Sequence, residues 1–228
     1  MSDLVDRVTQ AVVGVSLDDF DTTIVEVRKR LAVNDQGVKY ATIEGLCVTQ
    51  LKTLDDRHCP KRVIQMLADQ IGQVTAKALA MEIPKNHLAV LACVPLAYLG
   101  LYAKVEMVRH GEKVGYTLLK PYQITDVVQL PADPYWIYSV EDGEVMRKKA
   151  PQDAEKLIQQ ARRRGLNASE TLDLGIHTDV LSRHYVDAVG SRYDSDWVPG
   201  LYLNDDTPKL DWGYLDNADD GWGAASCG

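Results

Sequence analysis

The chain has 228 residues, of which 46% are hydrophobic and 25% are charged, and its formal net charge is −8. This composition is typical of a globular protein with a hydrophobic core. The negative charge argues against non-specific binding to nucleic acids or anionic membranes, because both would repel it. The four cysteines are far apart and form no CxxC motif, so the sequence indicates neither a zinc site nor a disulfide framework.

The N-terminal sequence MSDLVDRVTQ lacks the basic and apolar regions of a signal peptide. We therefore expect a cytoplasmic protein with free thiols. Residues 88–103 carry no charge, but a helix of this length would measure only about 24 Å, against roughly 30 Å for the membrane core. Pro95 and Gly100 would also interrupt such a helix. We expect a buried strand and a short helical turn here, and no membrane span.

The first third of the chain has helical periodicity. Apolar stripes predict two helices before residue 32, followed by a turn at residues 34–37. Residues 38–56 fit a helix less well, because Gly45 and several β-branched residues weaken the pattern. Residues 61–83 are the clearest helix in this part of the chain, and Pro84 ends it.

From residue 88 onward the pattern changes to that of short strands separated by turns. The clearest strand is residues 135–140, YWIYSV, which is rich in β-branched and aromatic side chains. Residues 102–108 fit either a helix or a strand. Further extended segments are predicted at residues 88–94, 114–118, 185–189, 198–203 and 210–215.

Two helices are predicted between these strands. Residues 151–164 begin with a proline and end with three arginines, which would interact with the negative end of the helix dipole. Asn167 and Glu170 have the spacing of a capping box and predict the start of the next helix. The fold class is therefore α+β, with a helical N-terminal part followed by a mainly antiparallel sheet and a crossing helical pair. We expect a helical region at residues 1–84 and an α+β domain at residues 85–228, either as two domains or as one continuous domain.

The second half of the chain resembles an uncharacterised bacterial family. The matching segments are ADPYWIYSVEDGE, then APQDAEKLIQQARRRGLNASETLDLGIHTDVL, then residues 190–228 with their GSR, VPGLYL, PKLDW and GAASC motifs. Together they cover about residues 88–228. Family members often have cysteines where this chain has Tyr193 and Gly213, so no thiol or metal chemistry is implied. The family is one of unknown function, and the resemblance implies a shared fold and no particular reaction.

The C-terminal segment is both acidic and rich in aromatic residues. Residues 194–228 contain eight aspartates and one lysine, a formal charge of 1 − 8 = −7, and three of the four tryptophans. We therefore expect a protein-interaction surface in which aromatic side chains supply contact area and aspartates attract a basic partner. The candidate ligand-binding or partner-binding residues are Arg192, Trp197, Tyr202, Lys209, Trp212, Tyr214 and Trp222.

Other functions stay open. A small-molecule-binding protein or an enzyme would have a polar cleft between the helical part and the sheet, with Arg192, Lys209 and His184 contacting a small polar ligand. The basic runs at residues 147–149 and 162–164 could bind phosphate. A structural role in a larger assembly, including a homo-oligomer, is a further alternative. The sequence identifies no catalytic residue and no cofactor, since the common nucleotide-binding, zinc-protease and serine-hydrolase motifs are absent.

Three polar groups have a chemical and a structural interpretation. DNADDG at residues 216–221 is similar to a calcium loop, but Ala218 and Cys227 stand at ligand positions, so we predict a solvated turn and no metal site. Cys227 could form a nucleophilic pair with His177 or His184, although a small thiol more often packs in a core. The two histidines are seven residues apart and lack a third metal ligand at motif spacing.

Overall fold

The protein is described by a computed structural model, which gives the backbone of residues 35–228 and the side chains of residues 42–228. The two helices predicted before residue 32 lie outside the described residues. The chain divides into two compact units, residues 1–84 and residues 85–228.

In the described part of the first unit, three helices pack together. They are α1 (Asp35–Asp56), α2 (Lys61–Ala68) and α3 (Ile71–Leu79), and α1 contacts both of the others. The turn predicted at residues 34–37 is wrong for residues 35–37, because they begin α1. The helix predicted over residues 61–83 is interrupted at Asp69 and Gln70, where the Gln70 amide donates to the Leu67 carbonyl, three residues back, at 3.2 Å.

The second unit contains four helices and thirteen strands, with short 3₁₀ turns between them. The helices are α4 (Leu96–Leu99), α5 (Leu101–Met107), α6 (Pro151–Gln160) and α7 (Ala168–His177). The strands are β1 (Leu88–Cys93), β2 (Arg109–His110), β3 (Lys113–Val114), β4 (Tyr116–Thr117), β5 (Ile124–Asp126), β6 (Tyr135–Val140), β7 (Arg164–Gly165), β8 (Tyr185–Asp187), β9 (Ser191–Tyr193), β10 (Trp197–Asn204), β11 (Thr207–Tyr214), β12 (Trp222–Ala224) and β13 (Ser226–Cys227).

The largest sheet has seven strands. Its main path runs β12, β8, β10, β11, β4, while β9 joins β10 to β5. The β10–β11 hairpin turns at Asp205 and Asp206, whose φ angles of 48° and 60° match a turn with both central residues in the left-handed region. Two pairings in this sheet, β12–β8 and β11–β4, are parallel and the others are antiparallel. The predicted α+β class with a mainly antiparallel sheet is confirmed.

Smaller pairings complete the second unit. Strands β1 and β6 form one antiparallel pair, and β7 and β13 form another. Residues 102–107 are helical, and Val108 is extended. The uncharged run at residues 88–103 forms β1, α4 and the start of α5. None of the helices in the described part of the chain is long and apolar enough to cross a membrane.

The two helices α6 and α7 cover opposite faces of the large sheet. Side chains alternate between faces along a strand, so Val198 and Leu201 of β10 point in opposite directions. Leu201 is buried against α7, where Gly175 leaves room for it, since a side chain there would collide with Leu201. Val198 is buried on the other face with Ile158 of α6 and Ala224 of β12. Each helix covers only part of its face, and aromatic side chains lie on the rest.

Candidate binding surface

The structure divides the seven predicted binding residues among three places. Residues 197, 212 and 214 belong to the α7 face of the large sheet, because the hairpin register pairs Trp197 with Tyr214 and Pro199 with Trp212. Tyr202 and Lys209, also a register pair, belong to the α6 face, and Trp222 lies on that face over Gly200. Arg192 lies apart from both of these groups, beside helix α6.

On the α7 face, four aromatic side chains form a surface that we call the tryptophan patch: Tyr193, Trp197, Trp212 and Tyr214. The Trp197 and Trp212 rings stack with centroids 4.4 Å apart and planes inclined by 22°. Tyr193 stacks on the other side of Trp197 at 6.1 Å, and Tyr214 meets Trp212 edge to face at 5.6 Å. Trp212 is 39% exposed and Tyr214 is 57% exposed, so the patch combines a fixed internal stack with a solvent-facing rim.

On the α6 face, a second group of rings forms the tyrosine face: Tyr116, Tyr185, Tyr202 and Trp222. Trp222 lies 5.3 Å from Tyr185 and 5.4 Å from Tyr202, centroid to centroid. The Lys209 ammonium lies over the Tyr116 and Tyr202 rings, 5.9 and 5.8 Å from their centroids, and 2.5 Å from the Asp211 carboxylate. The charge of Lys209 is therefore already paired with these side chains of its own fold.

Arg192 connects β9 to α6. Its guanidinium lies 2.5 Å from the Glu155 carboxylate and donates to the carbonyls of Val189 and Ser191, both at 2.9 Å. The neighbouring Ser191 hydroxyl accepts from the Ala168 amide at 2.9 Å and donates to an aspartate at 2.6 Å. The GSR segment thus joins several elements, and each of its polar side chains has a partner within the fold.

An open pocket of about 440 Å³ lies at the end of β8. The His184 ring is buried beside it, with Nδ1 3.0 Å from the Tyr185 carbonyl and Nε2 3.6 Å from carboxylate oxygens of both Asp142 and Glu144. These carboxylates favour the protonated ring and raise the pKa of His184, although burial acts against them. Burial would raise the pKa of Asp142, but the nearby His184 ring and hydrogen bonds from the Glu144 backbone amide and the Arg183 guanidinium hold it far below its usual range. The pocket is lined by His110, Leu181, Ser182, Arg183, His184, Tyr185, Leu203 and Gly221.

Helix α7 carries two buried carboxylates that the sequence did not identify as a network. Asp173 pairs with Lys104 at 2.7 Å, with both side chains shielded from solvent. Glu170 receives two hydrogen bonds from Arg164, both at 2.6 Å, and one from the Tyr135 hydroxyl at 2.7 Å. The sequence contained one indication of this buried network. Lys104 is a single charged residue on the otherwise apolar face of the short segment LYAKVEM.

The three arginines at residues 162–164 do not end a helix, so the predicted dipole interaction is wrong. α6 ends at Gln160, and Arg162 follows it with a φ of 57°. Arg163 donates to the carbonyls of Ser139 and Ser226 at 2.5 and 3.0 Å, and Arg164 binds Glu170. Arg163 therefore links β6 to β13, and Arg164 links β7 to helix α7.

The structure places Cys227, His177 and His184 in different segments of the second unit. Cys227 is buried in β13, and burial raises the pKa of its thiol to about 11. His177 ends α7, and neither of its ring nitrogens has a hydrogen-bond partner among the described residues. His184 lies beyond the end of that helix and bonds elsewhere, so the two histidines share no helical face. Across residues 42–228, no three His, Cys, Asp or Glu side chains are grouped as metal ligands, and all four cysteines are free thiols.

The fold and these surfaces define an α+β domain whose sheet carries aromatic side chains on both faces. The chain belongs to the family described as Family of unknown function (DUF5701), whose model matches residues 61–228. The match covers the whole second unit and also α2 and α3, and it therefore begins earlier than the resemblance found at residues 88–228. No curated protein matches the chain, and no solved structure matches it.

Proposed function

We propose that residues 85–228 act as a binding module that holds a partner protein with a basic surface, and that the tryptophan patch is the contact. The observation that carries this proposal is the exposure of Trp212 and Tyr214 on a preformed stack with Trp197. Tryptophan and tyrosine are enriched among the residues that dominate protein interfaces. A stack that is already in place loses little conformational freedom when a partner binds.

The charge around the patch supports a basic partner. Asp194 and Asp196 are exposed in the turn that leads into Trp197, and Asp216 closely follows Tyr214. They belong to the segment of residues 194–228, whose formal charge is −7. Aspartates at the rim of an interface attract a basic surface during encounter and disfavour an acidic one.

Site-specific photo-crosslinking in the cells that make the protein tests the proposal. A photo-reactive residue replaces Tyr214 in one variant and Tyr102 in a matched control, because Tyr102 is similarly exposed, at 50%, on helix α5. We expect a protein crosslinked at position 214 and not at 102, and we expect Trp197→Ala in the same chain to remove it. Identical products at the two positions would contradict the proposal.

The isolated partner then allows a quantitative test. Trp212→Ala should weaken binding by at least about tenfold, because loss of a central aromatic contact costs about 1.4 kcal/mol or more. Tyr102→Ala should leave the affinity unchanged. Binding should also weaken as salt is raised, since exposed charge attraction is screened. Affinity that does not depend on salt would exclude a basic partner.

A further inference from the structure

Asp187, on the tyrosine face, is a buried carboxylate without a hydrogen-bond donor. It is 6% exposed, and no described residue donates to its side chain or forms an ion pair with it. Burial, with a smaller contribution from Asp219, raises the pKa of Asp187 to about 7. A buried carboxylate without a donor is costly, and such groups concentrate at functional sites.

Three aromatic rings lie on the same sheet face as this carboxylate, those of Tyr185, Tyr202 and Trp222. Asp187 and Gly200 are register partners, and a Cβ at Gly200 would lie 3.5 Å from Asp187 Oδ1 and would collide with the Trp222 ring. Because Gly200 has no side chain, the Trp222 ring and the Asp187 carboxylate can both lie close to it. Tyr185 and Tyr202 complete the group, with ring centroids 5.9 Å from each other.

The same sheet face already binds one ammonium by the same chemistry. The Lys209 ammonium lies over two tyrosine rings, one of them Tyr202, and is neutralised by Asp211. On the other side of Tyr202, the Tyr185 and Trp222 rings and the Asp187 carboxylate offer a similar combination. Here no described lysine or arginine supplies the cation.

We infer that Asp187, Tyr185 and Trp222 form a binding site for an alkylammonium group, of the kind carried by a lysine side chain or a small amine. Aromatic faces attract cations, and tryptophan does so most strongly, while the carboxylate supplies the counter-charge and accepts hydrogen bonds. The open pocket at the end of β8 shares Tyr185 with this site and is also lined by Gly221, the residue before Trp222, so it offers room for the remainder of the ligand. Asp219 Oδ1 lies 3.3 Å from the Cβ position of Gly221 and adds negative charge at the rim.

Titration of the full chain, followed by NMR of the tryptophan indole N–H groups, tests this inference. Tetramethylammonium and butylammonium chloride are the small probes, N-acetyl-lysine methylamide represents a lysine within a protein, and sodium chloride and tert-butanol are the controls. We expect a saturable shift of the Trp222 signal with an ammonium probe, with a dissociation constant on the order of 1 mM for such small ligands. Tighter binding of the lysine derivative would identify a protein side chain as the source, and tighter binding of the simple amines would identify a small molecule.

Two variants make the test specific. Asp187→Asn keeps the shape of the side chain and removes its charge, and it should weaken the ammonium titration at least tenfold. Asp196→Asn, an exposed aspartate before β10, should leave the titration unchanged. The inference is overturned if no ammonium probe saturates, if tert-butanol binds equally well, or if Asp187→Asn binds as before. The inference is independent of the tryptophan patch, so Trp212→Ala should not change the titration.

Discussion

The Lys104 ammonium lies 2.7 Å from the Asp173 carboxylate in the interior of the second unit, and neither side chain is open to solvent. The ammonium also donates to the Val94 carbonyl and to the Ser169 hydroxyl, so each of its three protons has an acceptor. Burial raises the pKa of Asp173, and the Lys104 charge and the Val94 amide oppose the rise. This pair connects α5, α7 and the end of β1.

Replacement of Lys104 by methionine should strongly destabilise the fold. It leaves the Asp173 carboxylate buried without its counter-charge, and removal of one partner of a buried pair costs about 3–5 kcal/mol. Urea unfolding followed by circular dichroism measures the change in the free energy of unfolding. The double variant Lys104→Met with Asp173→Leu removes both charges and should recover most of the loss.

Lys156→Met is the matched control for this experiment. Lys156 forms an exposed ion pair with Asp153 on α6, and such a pair contributes roughly 0–1 kcal/mol. If Lys104→Met cost no more than this control, the buried pair would not be a main support of the fold.

Asn167→Ala should destabilise the start of α7. The Asn167 side chain accepts a hydrogen bond from the Glu170 backbone amide at 2.8 Å, and the Glu170 carboxylate accepts one from the Asn167 backbone amide at 3.1 Å. Loss of such a cap costs about 1 kcal/mol, within a range of roughly 0.5–2. Asn167→Ser keeps an acceptor and should cost less. Thermal unfolding of both variants measures the difference, and equal losses would show that capping is not the cause.

The local elements of the fold were predictable because their signals are contiguous in the sequence. The capping box at Asn167 and Glu170 and the strand β6 both lie where the pattern placed them. The sequence pattern did not predict strands of two or three residues such as β9, β12 and β13. Alternation of apolar and polar side chains cannot be recognised over so few positions. Lys104 and Asp173 are far apart in sequence, and no local pattern predicts that they meet.

The binding surfaces show the same limit. Side-chain alternation could have placed Trp197 and Tyr202 on opposite faces of β10, because they are separated by an odd number of positions. The sequence could not show which part of each sheet face is left uncovered by a helix. That depends on where α6 and α7 pack, and hence on contacts between distant parts of the chain.

Gly190→Ala should destabilise the second unit through a direct backbone collision. A Cβ at Gly190 would lie 2.8 Å from three backbone atoms, the Asn167 nitrogen, the Gly165 oxygen and the Leu166 carbonyl carbon. Backbone cannot move aside as a flexible side chain can, so we expect a loss at the upper end of the roughly 1–3 kcal/mol typical of overpacking. Gly213→Ala is the control, because its Cβ would meet nothing within 4 Å. Urea unfolding should separate the two variants, and equal stability would contradict the collision.

Asp187 should make the second unit less stable as the pH rises. The carboxyl pKa is raised from 3.8 to about 7 in the folded protein, so between these values the folded state binds more protons than the unfolded state. The free energy of unfolding therefore falls with increasing pH across this window, by up to about 4 kcal/mol from this group.

Asp187→Asn cannot ionise and removes this contribution. The variant should equal the parent near pH 4 and exceed its stability at pH 8. Any contribution from Asp173 is common to both proteins and cancels in the difference. Asp219→Asn removes the second cause of the raised pKa and should reduce the pH dependence only in part. Urea unfolding at a series of pH values measures each difference, and a stability gap between Asp187→Asn and the parent that does not vary from pH 4 to pH 8 would show that Asp187 ionises normally.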